Sequence, residues 1–116
     1  MANRDDEHRR WLGEGTEDPR PTYVIEVDGD AVGWFDVDPA SAHVGDGEAN
    51  VGWFVFPEHR GHGYAAEAVR QHRGDEVLVA IIEVGNHASL RTASAAGFRD
   101  DGTVEIDRRT SRRMVR

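Results

Sequence analysis

The sequence predicts one α/β domain, built on a mixed, mainly antiparallel sheet with flanking helices. Three observations lead there. Two β-rich segments, Tyr23 to Val27 and Ala31 to Val37, flank Asp28-Gly29, a dipeptide suited to a two-residue hairpin turn. Two apolar runs, Val51 to Phe56 and Val77 to Val84, are each followed by a helix-forming stretch, which is the pattern of strands alternating with helices. With 116 residues, of which 38% are hydrophobic, the chain can build a single core of modest size, so residues 1–116 are expected to be one domain.

Taken in order, Asp5 to Leu12 reads as a short polar helix anchored by Trp11 and Leu12. Gly13 to Pro21 and Pro39 to Gly47 carry the Gly, Pro and acidic residues of loops. The run ending in Phe56 is closed by Pro57, and its near-continuous apolarity predicts a strand buried on both faces. A helix is predicted from Tyr64 to Arg73 with Gly74 as its stop, and a small-residue helix from Ala88 to Ala96 ended by Gly97. Phe98 to Val104 and Thr110 to Val115 form a last hairpin.

Composition removes several classes of function. There is no cysteine, which excludes disulfides, thiolate nucleophiles and thiolate metal sites. No apolar run approaches the ~20 residues of a membrane span, and nothing reads as a signal peptide, so a cytoplasmic protein without membrane contact is expected. The net charge is −8, and every basic residue is Arg. Nucleic-acid binding requires a positive footprint, which this balance does not supply. An acidic surface suits a cationic partner such as an amine, although the same charge also serves solubility. His59 and His62 stand three apart without a third ligand at suitable spacing, so no metal site is expected.

The segment from Val55 to Ala65 carries the most chemistry. A glycine turn between a strand and a helix N-terminus leaves backbone N–H groups unpaired and convergent, and the helix dipole adds positive potential. Gly61 and Gly63 permit positive φ and close approach to a phosphate, while Arg60 adds charge. The dinucleotide fingerprint is absent, since it requires three glycines and a later acidic residue; the Walker A motif is absent for want of Lys. A second segment, Asn86 to Phe98, follows the second apolar run directly. There the Asn86 amide can cap the helix or reach a ligand, Gly97 can end it in the left-handed region, and Phe98 can anchor the next strand.

Together these segments resemble the GCN5-related N-acetyltransferase (GNAT) superfamily, most closely the ribosomal-protein N-terminal acetyltransferase-like branch. Arg60-Gly61-His62-Gly63-Tyr64-Ala65 matches the family's Arg/Gln-x-x-Gly-x-Gly/Ala turn, and Ala66-Glu67-Ala68 is similar to the helix start of many members. Asn86, Ser89, Gly97 and Phe98 match the family's second signature. The resemblance covers roughly Tyr23 to Val115 and implies a sheet whose central strands splay apart, with acetyl-CoA as cofactor. It implies coenzyme contacts from the main chain of Phe54, Val55 and Phe56, from Arg60, Gly61, His62, Gly63, Tyr64 and Ala65 in the turn, and from Asn86 and Ser89. It further implies direct attack by a primary amine, on a small molecule or a peptide, upon the thioester. For the proton transfers it points to Glu48 as general base, with Asp36 second, and to Ser89 as general acid, because Ala93 stands where many relatives carry Tyr. Compared with such relatives the chain looks shortened before Tyr23, lacking most of the usual first strand and helix. That shortening suggests a homodimer sharing the acceptor wall, or alternatively a non-catalytic acyl-CoA-binding or partner-binding domain.

Overall fold

The computed structural model describes residues 9–11 and 21–116. The strands are β1 (Arg9–Trp11), β2 (Thr22–Val27), β3 (Asp30–Asp38), β4 (Glu48–Val55), β5 (Val77–Glu83), β6 (Arg99–Ile106) and β7 (Arg109–Val115). The helices are α1 (Tyr64–Gln71), between β4 and β5, and α2 (His87–Ala95), between β5 and β6. The strands form one sheet in the order β1-β2-β3-β4-β5-β7-β6, in which only β4 and β5 run parallel.

The expected hairpins form for the expected reasons. Asp28 and Gly29 both take positive φ, 52° and 88°, which turns β2 back onto β3 with the twist that strands favour. Asp107 and Arg108 do the same between β6 and β7 without a glycine, at φ of 52° and 67°. Both helices lie against the same core, where Phe35, Val37 and Val51 of the sheet meet Ala66 and Val69 of α1 and Ala93 and Ala96 around α2. Small residues on the helices let them sit close to the sheet. Arg70 joins the helices by donating from Nη1 to the Ala95 carbonyl at 2.7 Å, and Arg116 caps the end of α1 by donating to the Val69 and Arg70 carbonyls.

Three expectations are corrected. Arg9–Trp11 is a strand on the edge of β2, pairing Arg9 with Ile25 and Trp11 with Tyr23, and not part of a helix; the rest of the proposed Asp5–Leu12 helix lies outside the described residues. A single polar turn gains little as a helix, whereas an open strand edge offers immediate backbone partners. The helix α1 ends before Gly74, because His72 adopts an extended conformation while its N–H bonds to the Val69 carbonyl. Finally, β4 is not buried on both faces: Ala49 and Val51 are buried, but Phe54 is 36% exposed and its neighbours Trp53 and Val55 only half-buried. Its apolar end faces an opening.

Candidate functional site

The opening is the place where two neighbouring strands part. β5 pairs with β4 only along Glu48, Ala49 and Asn50, opposite Val77, Leu78 and Val79. β3, by contrast, follows β4 to its end, with Gly33 opposite Val55. The Phe56 N–H donates to the Val32 carbonyl at 2.9 Å, so even-numbered residues of β4 bond toward β3 and odd-numbered ones turn the other way. On the facing strand, Leu78 bonds to Arg116 and the Val84 N–H to Thr110, so its even-numbered residues bond toward β7. Past Asn50 the main chain of Trp53 and Val55 is therefore aimed into the gap, as is that of Ile81 and Glu83. An unpaired strand edge next to a gap is a template for one more extended chain.

The far end of the gap is closed by the glycine turn. A short 3-10 turn, Pro57–His59, leads out of β4, and Gly61 and Gly63 then take φ of 87° and 78°. Gly63 is the N-cap of α1, whose first helical bond runs from the Glu67 N–H to the Gly63 carbonyl at 3.0 Å. The N–H groups of Tyr64, Ala65 and Ala66 thus lack intrahelical acceptors, as the first turn of any helix does. Among the described residues Gly61, His62 and Gly63 also donate no backbone hydrogen bond. Arg60 holds the turn to the strand: its Nε donates to the Val55 carbonyl at 2.7 Å, and its guanidinium lies 5.2 Å from the centre of the Phe54 ring.

The second wall is α2. Asn86 caps it, its Oδ1 accepting the Ser89 N–H at 3.2 Å. At the other end Gly97 takes φ of 94° and the Phe98 N–H bonds back to the Ala93 carbonyl, which stops the helix and drops Phe98 into the core beside Trp53.

A groove of about 440 Å³ results. Of the residues singled out in the sequence, Phe54, Val55, Arg60, Gly61, Gly63, Tyr64, Ala65, Asn86 and Ser89 line it. Phe56 and His62 do not; Phe56 stacks edge-on with Trp34 and Phe54, and His62 lies over the Tyr64 ring. Glu48 also lies away from the groove, six residues before Phe54, or about 20 Å along an extended strand. Its Oε1 accepts the Gly45 N–H, and its Oε2 pairs with Arg113 of β7 at 2.5 Å. Asp36 stands opposite Gly52, just past the point where β5 departs, and accepts its N–H at 3.2 Å. Ala93 is fully buried and faces the core. The groove also includes Trp53, His59, Ala88, Arg91 and Thr92, which sequence reasoning missed. Ala88, Arg91 and Thr92 share one face of α2 by the i, i+3, i+4 rule, but spacing does not say that this face meets the groove. No group of three His, Asp or Glu residues suited to a metal occurs among the described residues, and none of their helices is long and apolar enough to cross a membrane.

A parted parallel pair, a glycine turn at its mouth and a capped helix opposite are joined by a match at the level of sequence. A family model described as an acetyltransferase (GNAT) domain matches residues 2–99. The chain belongs to the GNAT family. A protein named as a GNAT-family acetyltransferase from Bordetella pertussis is similar in structure at 28% identity, with a TM-score of 0.67 over 84% of this chain and 65% of that one. RimJ of Mycobacterium smegmatis, solved with a coenzyme A disulfide, superposes with a TM-score of 0.69 at 22% identity, covering 84% of this chain and 52% of that one. The aminoglycoside acetyltransferase AAC(6')-Ib, solved with coenzyme A and kanamycin, gives 0.71 at 18% identity, covering 84% of this chain and 66% of its own. This GNAT chain thus spans between half and two thirds of the length of these relatives. Among curated protein sequences none matches it.

Proposed function

We propose that this GNAT chain is an N-acetyltransferase that carries acetyl from acetyl-CoA to a primary amine, on a protein N-terminus or a small molecule, by direct attack on the thioester. The observation that carries the reading is the separation of β4 from β5 after Asn50, which leaves main chain unpaired beside the glycine turn. In this reading pantetheine lies along the open edge of β4 as an added strand, and the pyrophosphate sits on the N–H groups from Gly61 to Ala65. The complexes of RimJ and AAC(6')-Ib with coenzyme A forms support the choice of cofactor.

Within that frame a β4 N–H facing the gap, at Trp53 or Val55, polarises the thioester carbonyl and stabilises the oxyanion. Alignment of amine and thioester supplies much of the remaining acceleration. Ser89, on the groove wall, donates the proton to the departing thiolate. For the base Asp36 is preferred because it stands level with the point where β5 leaves β4; neither carboxylate lines the groove and both are engaged, Asp36 by the Gly52 N–H and Glu48 by Arg113 and the Gly45 N–H. Either carboxylate would take the amine proton through a water. Cytoplasmic location and a homodimer belong to the same proposal. The engagement of Glu48 also favours a second reading, an acyl-CoA-binding domain without turnover.

The test is calorimetry with acetyl-CoA followed by thiol release across amines and N-terminal peptides, for wild type, Asp36→Asn, Glu48→Gln and Ser89→Ala. Binding with turnover, reduced tenfold or more in kcat by Asp36→Asn and Ser89→Ala, is the expected result. Binding without turnover on any acceptor would establish the second reading, and absence of binding would overturn both.

A further inference from the structure

The sheet has two faces, and α1 and α2 pack on one of them. Phe35 and Val37 of β3 and Ala49 and Val51 of β4 point into the core shared with the helices, so the alternate residues Trp34, Asp36 and Phe54 point to the other face. There Trp34 stands opposite Phe54, with ring centres 4.8 Å apart, and Phe56, just past the end of β4, packs edge-on against both at 5.9 Å. Trp34 is 38% exposed and Phe54 36%, two of the four exposed large apolar side chains among the described residues. Single exposed apolar residues are ordinary, but rings in mutual contact and open to solvent form a patch suited to an apolar ligand.

Phe54 joins this patch to the groove, which it also lines. The other groove residues come mainly from the glycine turn and the two helices, so a coenzyme filling the groove leaves the face of the rings for the acceptor. Asp36, the preferred base, lies on that face two residues from Trp34, or about 7 Å along the strand. The patch is thus bounded by a carboxylate opposite Gly52 and by the Arg60 guanidinium, 5.2 Å from the centre of the Phe54 ring. One ammonium is drawn to the first, whereas a second positive charge over the rings would meet the other. β3 is paired on both sides, with β2 and with β4 as far as Val55, so no strand edge beside the rings is open to the backbone of a peptide.

We infer that Trp34, Phe54 and Phe56 seat the acceptor and select a small primary monoamine with an apolar body. The inference rests on the acetyl-transfer reading above and narrows its acceptor. The body lies against the rings, where burial and ring contact favour it over a hydroxylated chain. The nitrogen reaches the Asp36 end, where the ammonium gives one proton to the carboxylate through a water. As the N–C bond forms and the thioester C–S bond breaks, the second N–H proton passes to solvent, from which Ser89 recovers the one it gives the thiolate.

Thiol release at saturating acetyl-CoA tests this with 2-phenylethylamine, ethylamine, 1,4-diaminobutane, kanamycin and a Met-initiated peptide, on wild type, Trp34→Ala and Trp34→Phe. Wild type is expected to show a kcat/KM for 2-phenylethylamine about tenfold or more above that for each other acceptor, from one apolar body set on the rings. Trp34→Ala should bring the ratio of 2-phenylethylamine to ethylamine close to one, chiefly through KM, and Trp34→Phe should restore most of it. A ring that only stabilises the β3–β4 pair would change Tm and leave that ratio alone, which would overturn the inference. Equal turnover of 2-phenylethylamine and ethylamine by wild type would overturn it even if Trp34→Ala fails to fold. So would faster turnover of the diamine, of kanamycin or of the peptide, and in each of these cases acetyl transfer itself stands. Turnover of no acceptor would defeat the transfer reading and this inference with it.

Discussion

Replacing Gly63 by Ala separates the conformational role of the glycine turn from its role in binding. Gly63 takes φ of 78°, and a Cβ built there meets nothing within 4 Å. Gly29 in the β2–β3 hairpin is its match, with φ of 88° and equally open space, but it does not line the groove. An L-residue in this backbone region costs about 1–2 kcal/mol, partly offset by the ~0.4–1 kcal/mol that Ala removes from the entropy of the unfolded chain. Both variants should therefore lose about 1 kcal/mol, or roughly 4–8 °C in Tm for a domain near this size. Their binding should differ. At Gly63 the new methyl stands in the groove, where the backbone must approach a phosphate closely, and loss of one such N–H contact is worth about 1.5–3 kcal/mol. Coenzyme A affinity should fall tenfold to a hundredfold in Gly63→Ala and stay at the wild-type value in Gly29→Ala. Calorimetry below the lower Tm, with thermal melts of the same samples, reads both quantities. If the two variants melt alike and bind alike, Gly63 is only a turn residue and the phosphate argument fails.

Two further outcomes follow from packing and charge. Gly33→Ala would put a Cβ about 2.1 Å from the Phe54 carbonyl oxygen across the β3–β4 pair, and since backbone must move to relieve it, a loss above ~2 kcal/mol is expected by chemical denaturation; a neutral result would mean the pair is looser than its geometry. In α1 the Gln71 amide donates to Glu67, and Arg70 both donates to it and attracts it; together these outweigh burial and hold the Glu67 carboxyl below its ordinary 4.5. A carboxylate lowered on folding stabilises above the unfolded value and loses that contribution as pH falls through the folded one. Stability should accordingly drop on acidification below about pH 4.5, with a shallower slope in Glu67→Gln, and identical slopes would remove Glu67 from the account.

Much of the architecture was legible because it is encoded over short distances. A hairpin needs only the positive φ that Asp28-Gly29 tolerates, and a helix end needs only Gly97 and the residue after it. The glycine turn and the Asn86 cap are of the same kind, being contacts between residues a few positions apart. Errors arose where a neighbour distant in sequence decided the outcome. Arg9–Trp11 became a strand because β2 offered it an edge, and apolarity alone could not say that Trp53 to Val55 would face a gap left by β5.

The sequence by itself determined the order of the elements from β2 onward, the family to which they belong and the segments that frame the groove, because local turns, caps and hydrophobic periods depend on near neighbours. Only the tertiary structure decided where β4 and β5 part, which face of α2 meets the groove, and that Glu48 is held by Arg113, 65 residues away. Those facts depend on which strands lie side by side, a choice made by the packing of the whole sheet against α1 and α2 and written in no single stretch of chain.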